Sequence, residues 1–261
     1  MGIIFLVKAF VVMSGRWPMK LRTGLVLSLM TMAFTFFASS YSYAGSFANL
    51  EARITEAKFV MDEVMATPEK SIPEELLAKC KAIAIYPNML KGGFIFGARF
   101  GKGVVLKKEE KTGEWGPVAF STIAGGSWGL QIGGSATDLI LVIMNERGLM
   151  GLLSNNVTLG AGASVAAGPV GRDSEAAMDL SMRAGIISYS RSRGLFAGMA
   201  LDGAIMTQDN NSNGAYYGKD VTSKDILLGN AVEVQPSSKE LVQALQEYSS
   251  RWAKRVVAKK K

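Results

Sequence analysis

The chain of 261 residues is 48% hydrophobic and 20% charged, which supplies apolar material for one sizeable core and excludes a disordered protein. Its net charge of +7 at pH 7 would suit a nucleic acid or a membrane, but residues 1–44 carry four basic residues and no acid. The other 25 basic and 22 acidic residues leave +3, an ordinary surface charge, so no nucleic-acid partner is expected.

The chain has no histidine and one cysteine, Cys80. Histidine is the usual general base near neutral pH and the commonest metal ligand, so serine triads and histidine-bearing zinc sites are excluded. One cysteine cannot form an internal disulfide or a metal-binding cysteine cluster. We therefore expect no metal and no cofactor, and we expect Cys80 to be a small buried residue rather than a reactive thiol.

Residues 19–44 have the order of a secretory signal peptide. Two basic residues precede an apolar run over residues 24–38, and small polar residues lead to a cleavage point between Ala44 and Gly45. A bilayer span needs roughly twenty apolar residues, so the shorter run favours cleavage over retention as an anchor.

Residues 1–18 form an upstream segment, which is consistent with translation that begins at Met19 or Met13. The expected mature protein, residues 45–261, is a single domain. We expect it to be exported to the periplasm and to associate with a membrane only at the surface.

Three stretches of this domain have helical character. Residues 47–65 place apolar residues at helical spacing between charged ones, which predicts an amphipathic helix. A second, short helix is predicted from Ser71 to about Lys81, because a proline and two acids suit its first turn. A final helix is predicted from Ser237, with Glu240 completing a capping box.

Short β-type runs punctuated by glycine fill the region between these helices. The candidate strands are 93–100, 103–108, 115–124, 127–133, 138–144, 157–165, 185–190, 195–201 and 204–208, with a short helix at 175–183. Because glycine permits bulges and sharp bends, the runs predict a strongly curled sheet. The predicted fold class is α+β, with N-terminal helices, a glycine-rich twisted antiparallel β-sheet or barrel, and a C-terminal helix.

Two segments of the chain resemble each other, which predicts a pair of related hairpins. The first runs from Gly93 to Gly103 and the second from Gly194 to Gly203. Residues 209–214 are rich in asparagine and predict a turn at a loop tip.

Motifs that indicate catalysis are incomplete. Residues 125–129 match the Gly-x-Ser-x-Gly nucleophile elbow, but that motif requires a histidine base and a strand-turn-helix context. Residues 160–165 begin like a dinucleotide fingerprint, yet Val165 stands where the third glycine belongs. Acidic residues occur singly, without a pair spaced for acid–base catalysis. We therefore expect a protein that is not an enzyme.

The basic residues are grouped along the chain. Lys91, Arg99 and Lys102 lie in the first predicted hairpin, and Arg191 and Arg193 lie just before the second. If the hairpins are adjacent, these cations share one surface with aromatic residues, which suits an anionic membrane interface. The alternative is a solvated strand edge that lysines protect against pairing.

Five stretches resemble segments of the SYLF domain family, in order and over about residues 47–234. They are KAIAI at 81–85, KGGFIFG at 91–97, GGSATDLILV at 133–142, SVAAGPVGR at 164–172 and ISYSRSRGLFAG at 187–198. Members of this family bind phosphoinositide-containing membranes in eukaryotes and actin filaments in yeast, and many are exported bacterial proteins. The resemblance therefore implies lipid binding.

The resemblance also implies a role for the first helix, since membrane contact in the family is attributed largely to an amphipathic N-terminal helix. Phe47, Leu50 and Ile54 would then be inserting residues, and Lys91, Arg99, Lys102, Arg191 and Arg193 would meet headgroups. This helix has more acids than bases, however, so it lacks a strongly basic inositide-binding face, and the alternative is that it packs on the core.

The sequence predicts a non-catalytic envelope protein that binds anionic phospholipid, such as phosphatidylglycerol or cardiolipin. The alternative is an envelope scaffold that binds a protein partner through an exposed sheet edge.

Overall fold

A computed structural model of the chain describes residues 44–66, 71–93, 96–128, 133–154, 156–161, 164–169, 184–192, 195–198, 201 and 203–259. Residues Phe47–Lys261 make up one compact unit. The predicted signal peptide before Ala44, the predicted helix at 175–183 and Arg193 lie outside the described residues.

In the described structure, helices lie at both ends of the predicted domain. The described helices are α1 (Ala44–Met65), α2 (Glu74–Lys79), α3 (Glu146–Leu153), α4 (Asn210–Tyr217), α5 (Ser223–Leu227) and α6 (Lys239–Lys259), which a 3₁₀ turn (Pro236–Ser238) precedes. The predicted N-terminal and C-terminal helices are thereby confirmed. The second helix is shorter than predicted, because Cys80 already has an extended backbone. No helix in this described part of the chain is long and apolar enough to cross a bilayer.

The described strands form one curled, mixed sheet. They are β1 (Ala82–Gly93), β2 (Phe96–Lys107), β3 (Ala119–Trp128), β4 (Gly133–Ile143), β5 (Val157–Thr158), β6 (Val165–Ala167), β7 (Ile186–Ser192), β8 (Leu195–Gly198) and β9 (Ile205–Gln208). Their order is β5-β9-β3-β2-β1-β4-β7-β6, and β8 also pairs with β7. Only the β6–β7 pair is parallel among them. The predicted α+β class is confirmed.

Helices cover both faces of this sheet. We call the side under α1, α2 and α6 the first face, where Ile83, Val104 and Ile140 contribute to the core. The opposite, second face packs residues such as Ala84 and Leu141 against α3 and α5. The central strands are therefore buried on both sides.

Strand β1 was not predicted, and its burial explains why. Residues 82–86 are all fully buried, so the segment has no alternation of polar and apolar residues. Pro87 follows in the same strand, where a bulge shifts the register between Ile85 and Leu90. A proline in a run normally argues against a strand, but bulges tolerate it.

Each of the two similar segments contributes to an antiparallel strand pair, but with bounds that differ from the predicted hairpins. The first segment begins at Gly93, the last residue of β1, and continues into β2, which pairs with β1. Gly103 lies within β2 and is not a turn residue. A Cβ atom on Gly103 would lie 2.3 Å from the carbonyl oxygen of Ile85 and 2.5 Å from the ring of Tyr86, so this glycine permits close strand packing. In the second segment, β8 pairs antiparallel with the preceding strand β7, and β9, which follows the segment, pairs with β3.

Two local predictions near the C-terminus are also wrong. Residues 209–214 open helix α4 rather than a turn, because the side chain of Asp209 accepts a hydrogen bond from the backbone N–H of Ser212 at 3.2 Å. Ser237 does not cap the last helix, since its hydroxyl lies 2.8 Å from that of Tyr216 and hydrogen-bonds to it.

Candidate functional site

Cys80 and the Gly-x-Ser-x-Gly match, which resemble catalytic features in the sequence, lie in structural positions. Cys80 is buried, and burial raises the pKa of its thiol to about 11. Gly125 and Ser127 lie within β3, in register with Arg99 and Gly97 of β2, and not at a strand-to-helix turn. The described residues contain no group of three or more acids or cysteines that could hold a metal ion.

Two of the predicted headgroup residues face each other on adjacent strands. Lys91 of β1 and Arg99 of β2 are register partners, two residues before the end of β1. Burial and the neighbouring Arg99 charge lower the pKa of Lys91. The Nη1 atom of Arg99 is buried without a hydrogen-bond partner in the described structure. Like charges placed opposite each other are unfavourable, and an anion bound to them would relieve this cost.

The preceding register pair of the same strands is apolar and exposed. Leu90 is 62% exposed and its partner Phe100 is 47% exposed. Because side chains alternate along a strand, this pair lies on the first face while Lys91 and Arg99 lie on the second. Lys102 follows Phe100 by two residues, so it shares the first face and is exposed. We call these five residues the hairpin surface.

A cleft of about 280 Å³ lies between α1 and Leu90, Phe100 and Lys102, the residues of the hairpin surface on the first face. It is lined by Asn49, Arg53, Glu56, Leu90, Phe100 and Lys102, among others. Burial lowers the pKa of Arg53, although Asp209 lies 3.6 Å from its Nη1 atom and opposes the shift. That nitrogen is buried without a hydrogen bond within the described residues. Arg53 is not among the residues predicted from the sequence, because a basic residue in an amphipathic helix is normally expected on the solvent side.

Arg191 lies apart from the hairpin surface. Strand β4 separates β1 from β7, which carries Arg191. Its guanidinium binds the carboxylates of Asp138 at 2.8 Å and Glu63 at 3.1 Å and lies 5.7 Å from the ring centre of Phe59. The structure thus pairs Lys91 with Arg99, places Lys102 on the opposite face of the same strands and holds Arg191 in an ion-pair network under α1.

The three predicted inserting residues of α1 differ in exposure. Leu50 and Ile54 are 2% and 1% exposed and belong to the core of the first face, which agrees with the core-packing alternative. Phe47 is 44% exposed, and its ring stacks on Tyr216 with centroids 5.8 Å apart. In this conformation only Phe47 of the three can meet another surface.

Comparison with known proteins identifies relatives of this chain. The family model described as "Ysc84: Las17-binding protein actin regulator" matches residues 124–248. The rat "SH3 domain-containing YSC84-like protein 1" is 33% identical over 186 residues, which cover 71% of this chain and 54% of that protein.

Two Saccharomyces cerevisiae proteins match to a similar extent. "Protein YSC84" is 34% identical over 72% of this chain and 40% of its own length, and "LAS seventeen-binding protein 3" is 34% identical over 66% and 38%. The chain spans about half the length of the rat relative and less of the yeast ones.

The chain therefore carries a domain of the Ysc84/SYLF family, and the resemblance found in the sequence is confirmed. The name of the family describes binding and regulation and mentions no reaction.

Proposed function

We propose that this chain is a non-catalytic lipid-binding protein of the bacterial envelope that associates peripherally with anionic phospholipid. One observation carries the proposal: one end of β1 and β2 has the exposed pair Leu90 and Phe100 on one face of the sheet and the cationic pair Lys91 and Arg99 on the opposite face. At a membrane surface, apolar side chains enter the boundary of the acyl chains while cations meet the phosphates.

The size of this surface predicts weak, reversible binding. Fully burying a leucine or phenylalanine contributes about 1.5–3 kcal/mol, so two half-exposed side chains contribute roughly 2–3 kcal/mol. Each basic residue near an anionic surface adds about 1 kcal/mol. The total of about 5 kcal/mol corresponds to an apparent Kd in the range of tenths of a millimolar accessible lipid.

We also propose that the protein is exported to the periplasm. The signal-like segment 19–44 supports export, and the ligand in a bacterial periplasm would be phosphatidylglycerol or cardiolipin. No histidine is present to serve as a general base, which supports a binding rather than a catalytic role.

Vesicle co-sedimentation tests the proposal. A chain that begins at Gly45 keeps all of the compact unit and is mixed with vesicles of phosphatidylcholine alone or with phosphatidylglycerol or cardiolipin. We expect pelleting only with the anionic mixtures, and we expect less pelleting at 0.5 M salt because screening weakens the attraction of surface charges.

Substitutions locate the contact. The double variant Leu90→Asp/Phe100→Asp should lower binding at least tenfold. Met150→Asp is the matched control, because Met150 is 49% exposed on α3 and far from the hairpin surface in the fold. Equal binding by wild type and the double variant would remove the hairpin surface from the proposal, and no pelleting of wild type would reject lipid binding.

A protein-interaction module is the second candidate function. The names of the relatives support it, since one is called a LAS seventeen-binding protein. Pull-down of a specific envelope protein in lipid-free detergent, together with no vesicle binding, would favour this candidate.

A further inference from the structure

The last turns of α6 form a second cationic and apolar surface. From Arg251 onward the chain has six basic residues and no acid. Arg251 and Arg255 have exposed side chains of 37% and 43%, and Lys254 is exposed without an acid partner in the described structure. Val257 is 59% exposed, and Trp252 is half-buried. We call Arg251, Trp252, Lys254, Arg255 and Val257 the basic end.

The charge of the basic end exceeds what its ion pairs neutralise. Arg251 binds Glu247 of the same helix at 2.8 Å, and Arg255 binds Glu74 of α2 at 2.7 Å. Among the described basic residues of the basic end, Lys254 thus has no acid partner, and the sequence adds three more lysines and no acid after Val257. One or two cations suffice to stabilise a helix C-terminus through its dipole, so the dipole alone does not account for this number.

The basic end lies at the opposite end of the sheet from the hairpin surface. Trp252 packs beside Lys79, the last residue of α2, with the ammonium 5.5 Å from the ring centre. Helix α2 leads directly into β1 at Ala82, whereas Lys91 lies near the far end of that strand. Nine residues of strand at about 3.3 Å each separate the two by roughly 30 Å.

We propose that the basic end is a second contact for anionic phospholipid, so that one molecule links two membrane surfaces. This inference rests on the proposed lipid binding and adds a separate surface to it. The charge complementarity of the basic end identifies the occupant as an anionic membrane, since Trp252 and Val257 supply the interfacial side chains beside the cations. The family match ends at residue 248, before the basic end begins, so this contact belongs to this chain rather than to the matched family region.

The chain is mixed with phosphatidylcholine vesicles that contain about 30% cardiolipin, which makes the bilayer strongly anionic. Dynamic light scattering then measures vesicle linking, and co-sedimentation of the same samples measures binding. We expect the wild-type chain to bind vesicles and to increase their apparent size. Lys254→Glu should reduce linking at least fivefold, because each basic residue near the surface changes binding by about that factor. Val257→Asp should act in the same direction.

The controls separate this inference from the proposed function. Lys224→Glu makes the same charge change at an exposed lysine of α5 and should leave linking unchanged. Leu90→Asp/Phe100→Asp should keep only the weaker vesicle binding that the basic end provides and should not link vesicles. Binding without linking by wild type, or linking that persists in both Lys254→Glu and Val257→Asp, would overturn the inference and leave the proposed function standing. Absence of binding by wild type would overturn both.

Discussion

Arg191 shows how one residue can look functional in the sequence and be structural in the fold. Its guanidinium holds Asp138, which is only 11% exposed, and Asp138 also accepts a hydrogen bond from the backbone N–H of Asn88 at 2.9 Å. Removing the guanidinium would leave a largely buried carboxylate without its cation. Loss of lipid binding in an Arg191 variant would therefore report damage to the fold.

Arg191→Met is expected to lower the free energy of unfolding by about 2–4 kcal/mol, because it breaks a mostly buried ion pair. Glu63→Gln removes the more exposed partner, whose side chain is 49% exposed, and should cost less than about 1 kcal/mol. Urea unfolding followed by circular dichroism measures both. Equal, small losses would show that Arg191 does not anchor Asp138.

Cys80 provides a second test at the residue scale. Burial is the main cause that raises the pKa of its thiol to about 11, and the nearby Lys108 charge opposes the shift. The buried thiol is neutral, so its contribution to stability is complete below about pH 8.5, the pKa of a cysteine thiol in the unfolded chain. This contribution is lost as the pH rises towards 11. At pH 8 we expect the folded protein to react with a disulfide reagent at least about 100-fold more slowly than the chain in guanidinium, since the thiolate is the nucleophile. Comparable rates would contradict a buried Cys80.

At the scale of elements, the contact between α3 and the start of β7 depends on a glycine. A Cβ atom on Gly148 would lie 2.2 Å from the carbonyl oxygen of Gly185, which also accepts a hydrogen bond from the N–H of Met144. The obstacle is backbone, which cannot rotate away as a side chain can.

Gly148→Ala should destabilise the protein by more than about 2 kcal/mol, although the same change inside a helix normally stabilises it by about 1 kcal/mol. Gly92→Ala is the control, since a Cβ atom there would meet nothing within 4 Å. Thermal unfolding of the two variants gives the comparison. A stable Gly148→Ala protein would mean that α3 does not approach β7 this closely.

The elements that the sequence predicted are those whose pattern is local. Helix α1 has a clear apolar stripe, and glycine punctuation marked the sheet as curled. Strand β1 was missed because burial on both faces removes the alternation that identifies a strand. Helix α4 was read as a turn because its cap, Asp209, and its glycine, Gly214, also favour turns.

The candidate site was predictable only in part for the same reason. Lys91 and Arg99 are eight positions apart, and a hairpin prediction already brings such residues near each other. The exposure of their neighbours, Leu90 and its register partner Phe100, depends on the bulge in β1, because a bulge changes which face of the sheet the later residues of that strand occupy. Arg53 and the cleft depend on how α1 packs on the sheet, which no local pattern specifies.

At the scale of the molecule, the two buried cores share the same strands. Residues of β1, β2 and β4 alternate between the first face, under α1 and α6, and the second face, under α3 and α5. Because both cores are built on the same strands, loss of one core also disrupts the strands that carry the other. We therefore expect residues Phe47–Lys261 to unfold as one cooperative unit.

Two substitutions on opposite faces test this expectation. Leu245 of α6 is 1% exposed in the first core, and Leu149 of α3 is fully buried in the second. Each Leu→Ala change should cost about 2–5 kcal/mol. In urea, each should shift the whole transition to lower concentration with the same slope as wild type, because the slope reports the surface exposed on unfolding. If Leu149→Ala instead split the curve into two steps while Leu245→Ala did not, the second face would unfold independently, and the sheet would not couple the two cores.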